Sequence, residues 1–130
     1  MKIEHFAINV KEPQAMAQWY AEHLGLTIIR ADETPPFITF LADDNNQTLL
    51  ELYANPNGEY IDFANLTVFT FHIAFSVPDM AGECVRLIEA GATSKGDAIT
   101  LGNGDKTQFV QCPWGVTIQF LERINPLFPD

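Results

Sequence analysis

The sequence predicts an α+β chain made of two βαβββ units. Three observations carry this. The stretch Ile3-Glu4-His5-Phe6-Ala7-Ile8-Asn9-Val10, followed by Pro13, reads as a strand entering a helix. The stretch Phe71-His72-Ile73-Ala74-Phe75-Ser76-Val77-Pro78 repeats it, with His72, Ala74 and Ser76 in the places of His5, Ala7 and Asn9. Side chains on a strand alternate with period two, so each triplet shares one strand face. Finally, 130 residues at 47% apolar and 18% charged are enough for one domain with a real core.

Each element follows from local chemistry. Pro13 suits the first helical position, Met16, Trp19, Tyr20 and Leu24 recur at helical spacing, and Gly25 ends the helix. His23, near that C-terminus, is read as a packing or dipole histidine. Residues 26–30 form a second strand, Pro35 and Pro36 break it, and residues 37–41 form a third. Asp43-Asp44-Asn45-Asn46 is a turn; its spacing lacks the calcium-loop pattern. Residues 48–53 close the first unit, which spans about residues 1–54.

Residues 55–70 are a long connection with Pro56, Gly58, Tyr60, Phe63 and Phe69. A dimer contact or packing across the seam between units is expected there ahead of a lid. The second unit, residues 71–123, runs from the His72 strand into a helix with Ala81, Cys84, Val85 and Ile88 on its core face and Gly91 as stop. Residues 92–100 read as one strand bulged at Gly96, 101–105 as a turn, and 107–110 and 116–121 as the last strands. The tail, 124–130, carries Pro126 and Pro129 and reads as irregular.

Composition excludes several functions. Seven Lys plus Arg against seventeen Asp plus Glu leave a net charge of −10, with no basic patch for nucleic acid. No apolar run approaches the ~20 residues of a membrane span. The opening is unlike a secretory leader, and Cys84 and Cys112 have no CxxC partners, so a cytoplasmic protein with reduced, buried thiols is expected.

The chemistry-bearing residues come in a repeated pair. Glu51 lies among Leu49, Leu50, Leu52 and Tyr53, where a carboxylate is costly unless paired, protonated or metal-bound. Gln119 holds the equivalent place in the second unit. If the units pack about a pseudo-twofold, His5, Glu51, His72 and Gln119 converge on a site suited to Zn, Ni, Co, Mn or Fe(II). Ala7, Asn9, Thr39, Tyr53, Ala74 and Ser76 are the candidate pocket walls.

The opening motif, with Trp19-Tyr20 and Leu24-Gly25-Leu26, and the second motif, with Ala90-Gly91-Ala92, resemble the vicinal oxygen chelate superfamily over nearly the whole chain. That superfamily includes glyoxalase I, methylmalonyl-CoA epimerase, fosfomycin-resistance transferases, extradiol dioxygenases and bleomycin-resistance proteins. The resemblance implies a single domain over 1–130, its two modules making a cupped, mostly antiparallel mixed sheet with helices outside. It implies a divalent metal in the cup, chelated by vicinal substrate oxygens, and a homodimer. His5, Glu51 and His72 match the family's ligand positions, whereas Gln119 stands where Glu is commonest. An amide ligates but does not accept a proton at neutral pH. Glu51 is therefore the candidate catalytic base of a lyase or isomerase acting on a small oxygenated substrate. The alternative is a metal-independent binding protein of the bleomycin-resistance type, using Trp19, Tyr53, Tyr60 and Trp114 on a cationic planar ligand.

Overall fold

The computed structural model describes residues 1–128. The chain divides into two compact units, Met1–Ile61 and Asp62–Asp130. In the first unit, β1 (His5–Asn9) leads through α1 (Pro13–Leu24) to β2 (Thr27–Ala31), β3 (Thr39–Ala42) and β4 (Leu49–Tyr53). The strands lie in the order β1-β4-β3-β2; β1 runs parallel to β4 and the other pairings are antiparallel. Helix α1 buries Met16, Ala17, Trp19 and Tyr20, a 3.6-period stripe, on the sheet face carrying Ile8, Leu41 and Leu52. Gly25, at φ 69°, takes the left-handed position that ends the helix. The acidic turn closes on its own side chain, with Asp43 accepting the backbone N–H groups of Asn45 and Asn46.

The second unit repeats the plan. A 3-10 turn, Phe63–Asn65, precedes β5 (Ile73–Ser76), which leads into α2 (Met80–Glu89). Then come β6 (Thr93–Ser94), β7 (Ile99–Thr100), β8 (Lys106–Gln111) and β9 (Thr117–Glu122). The order is β5-β9-β8-β6, with β7 also on β8; again β5 is parallel to β9 and the rest antiparallel. The core face carries Val110, Ile118 and Phe120 against α2. Asp79 caps α2 by accepting the Gly82 N–H.

Two expectations need correction here. The core stripe of α2 is Met80, Cys84 and Leu87, while Val85 is 58% exposed and Ile88 is exposed as well. The stripe begins on the first helical residue, so Val85 and Ile88 rotate outward. The expected strand over 92–100 is two two-residue strands, because Gly96 at φ 132° takes the chain out of extended geometry. Both cysteines are buried and unbridged, and burial pushes the Cys84 thiol up to about 11. No helix among the described residues is long and apolar enough to cross a membrane. Residues 124–128 carry no helix or strand; the rest of the expected irregular tail, including Pro129, lies outside the described residues.

Candidate functional site

In the first unit the register decides which side chains share the face opposite α1. Ala7 pairs with Glu51, Glu51 with Phe40, and Phe40 with Arg30, making one row across the sheet. His5 sits at the head of β1 on that face, its ring edge-on to Phe40 with centroids 5.4 Å apart. His5 Nε2 lies 3.7 Å from Glu51 Oε1. That is too long for a hydrogen bond. Two atoms each about 2.1 Å from one ion lie at most about 4.2 Å apart, so this pair is within reach of a common metal. The Glu51 side chain is only 13% exposed. The Arg30 guanidinium lies over Phe40 and is held charged chiefly by its hydrogen bonds to Asp32, with a smaller contribution from Glu51.

The other nitrogen of His5 is occupied: Nδ1 is 2.9 Å from Glu4 Oε1. A carboxylate accepts, so Nδ1 donates to it; in the neutral ring the lone pair then falls on Nε2, the nitrogen nearer Glu51.

The second unit builds the matching row. Ala74 pairs with Gln119, and Gln119 with Phe109. His72 lies one residue before β5, edge-on to Phe109 at 5.3 Å. Its Nδ1 is 2.8 Å from the Val68 carbonyl, which can only accept, so Nδ1 donates and in the neutral ring Nε2 again holds the lone pair. Gln119 Nε2 donates to Thr107 Oγ1 at 2.9 Å, which turns its amide oxygen outward from that bond. Phe69 extends the aromatic row, 6.2 Å from Phe109.

Among the described residues no three His, Cys, Asp or Glu side chains stand clustered; the first unit sets His5 beside Glu51, and the second sets His72 and Gln119 each against Phe109. Each set has the chemistry a divalent ion takes, an imidazole nitrogen with a carboxylate or with an amide oxygen.

The expected pocket walls divide. Ala7 and Tyr53 share the His5 face, and Ala74 and Ser76 lie on the Gln119 face. Asn9 is on the open face, but its side chain pins the connection. Its Oδ1 accepts the Asn55 N–H at 2.7 Å and its amide donates to the Asn55 and Glu59 carbonyls. Thr39 is not a wall. It pairs with Leu52 rather than Glu51, is 1% exposed, and bonds the Phe37 carbonyl. The strand's register puts Phe40 where Thr39 was expected.

Sequence reasoning also missed Phe109, Thr107 and Glu4. Phe40 and Phe109 could have been found as an in-register repeat opposite Glu51 and Gln119. Two aromatics of the alternative reading are engaged elsewhere: Trp19 is buried beside Tyr20 and His23, and Lys11 lies over the Tyr60 ring at 5.8 Å.

The comparisons agree with this architecture. A lactoylglutathione lyase of Salmonella typhimurium is 27% identical over 128 residues, covering 94% of this chain and 93% of the relative. The crystal structure of a glyoxalase-related enzyme from Fulvimarina pelagi superposes with a TM-score of 0.74 at 20% identity, over 99% of this chain and 91% of that one. The antibiotic-binding protein TnmS3 from Streptomyces sp. CB03234 superposes with a TM-score of 0.69 at 18% identity, over 94% and 95%. The sequence profile of one family matches residues 2–120. With two βαβββ units and the profile spanning both, the chain belongs to the Glyoxalase/Bleomycin resistance protein/Dioxygenase superfamily.

Proposed function

We propose that this protein is a divalent-metal-dependent enzyme that polarises a small carbonyl compound for proton transfer of the lyase or isomerase type. His5, Glu51, His72 and Gln119 are its metal ligands. The observation that carries this reading is the repeat of one device in both units: a histidine with Nδ1 engaged, edge-on to a phenylalanine that pairs with Glu51 or Gln119. The lactoylglutathione lyase relatives support a carbonyl-compound chemistry.

A bound divalent ion supplies Lewis-acid polarisation of a substrate oxygen. The rest falls to the side chains. Glu51 is the only carboxylate of the four; it takes the proton from the carbon beside the carbonyl and returns it to that carbon or, where the carbon bears a hydroxyl, to the carbonyl carbon as the hydroxyl proton moves to the carbonyl oxygen. Gln119, held by Thr107, contributes an oxygen and exchanges no proton. Ala7 and Ala74 leave room beside the ligands, and Tyr53 and Ser76 border the substrate. The homodimer belongs to the same proposal, with the four ligands drawn from one chain or from two.

The test is titration of chelator-stripped protein with Zn²⁺, Ni²⁺ and Co²⁺, alongside His5→Ala and His72→Ala. Stoichiometric uptake lost in both variants is expected. No uptake by the unaltered chain overturns the reading. Mixing the two variants separates the arrangements: uptake returns only if the ligands come from two chains.

A further inference from the structure

We infer that Glu4 is a positioning residue for His5, fixing its tautomer and strengthening Nε2 as a donor, an inference that rests on the metal-site reading above. The Glu4 backbone is anchored. Its carbonyl accepts the Leu49 N–H at 2.8 Å, extending the β1–β4 ladder one residue beyond β1. From that anchored backbone its Oε1 reaches His5 Nδ1 at 2.9 Å.

The imidazole thus stands between two carboxylates, Glu4 on Nδ1 and Glu51 on the Nε2 side. An acceptor on one ring nitrogen selects the tautomer in which the other holds the lone pair. A charged acceptor also pushes electron density toward that lone pair, as carboxylates behind ligating histidines do. His72 has only the neutral Val68 carbonyl in this role. The two histidines are therefore unequal donors, and His5 is the one whose strength a side chain sets. The Glu4 side chain is 73% exposed, so solvent screening places the effect at the low end of the usual range.

The experiment has two independent readouts. The first is long-range ¹⁵N–¹H correlation of metal-free protein in mildly alkaline solution, with His5 assigned by its loss in His5→Ala. His5 in the unaltered chain is expected as the Nδ1–H form. In Glu4→Ala it shifts toward Nε2–H, while His72 stays unchanged. The second is Zn²⁺ affinity by competition with a chromophoric chelator. Glu4→Ala is expected to weaken it about tenfold, and Glu4→Gln, which keeps an acceptor oxygen, by less. A His5 tautomer unmoved in Glu4→Ala, with Zn²⁺ affinity unchanged, overturns the inference and leaves the metal-site reading standing. No Zn²⁺ uptake by the unaltered chain, with the tautomer still answering to Glu4, supports the positioning role and overturns only the metal-site reading.

Discussion

The two units run the same plan, with the strand after the helix broken at Gly96 in the second, to different chemical ends. Each sets a histidine at the head of its first strand, turns the ring edge-on to a phenylalanine, and pairs that phenylalanine with one oxygen-bearing side chain. In the first unit that side chain is Glu51, with no hydrogen bond to His5 and with Arg30 nearby. In the second it is Gln119, tied to Thr107. Of these two oxygen-bearing side chains only the Glu51 carboxylate can take up a proton; the Gln119 amide accepts hydrogen bonds and stays neutral. Duplication supplied the geometry twice, and one carboxylate supplies the asymmetry.

The largest expected effect comes from erasing that asymmetry. Glu51→Gln should lower kcat on a carbonyl substrate by about 10²–10⁴-fold, while the exchanged pair Glu51→Gln with Gln119→Glu should recover part of it. Steady-state kinetics decides, and undiminished turnover in Glu51→Gln removes the base from the mechanism. Next come the cores, where the units should behave alike. Leu52→Ala and Ile118→Ala, both at fully buried sites, should each cost about 2–5 kcal/mol in urea unfolding. Val85→Ser on the outer face of α2 should stay within about 0.5 kcal/mol.

A smaller contrast lies in two glycines with positive φ. Gly25 has open space where a Cβ would go, whereas a Cβ on Gly115 would meet the Ala64 backbone nitrogen at 2.9 Å. Gly115→Ala should therefore destabilise by about 1–3 kcal/mol and Gly25→Ala by the lower figure. The smallest contrast is in acid. Asp105 is buried, and the Ile124 backbone N–H, with Asn103 and Arg123, holds its carboxyl below the usual range. Its contribution is complete above the unfolded carboxyl's pKa and disappears as pH falls through the lower, folded value. Asp105→Asn should flatten an acid melt more than Asp32→Asn, whose carboxyl is lowered by Arg30 at a more exposed place.

Much of this was legible in the sequence. Period-two alternation gave His5 and His72 their faces, and the internal repeat tied them to Glu51 and Gln119. What escaped was register and anything off-period. Thr39 was placed on the wrong face because a strand read over 37–41 carries no mark of its pairing, and a one-residue slip moves every side chain across the sheet. Phe37, at φ 59°, is not extended, and pairing starts at Thr39. Phe40 and Phe109 go unmarked because a phenylalanine in a strand is ordinary and signals no site. Glu4 escaped because a contact between adjacent residues leaves no periodic trace. The α2 stripe slipped because Met80 opens the helix and no pattern says on which residue a helix starts.

The break at Gly96 has a bearing on how these sheets behave in a crowded solution. A terminal strand exposes unpaired N–H and C=O groups, an invitation for a second chain to pair. Here the outer side of β8 is met by two strands of two residues each, turned apart at Gly96, and β2, at one end of the first sheet, carries a register shift between Ile28 and Arg30. Neither offers a long flat ladder. The same irregularities that blur the strand pattern in the sequence therefore leave these two edges ill suited to pairing with a second chain.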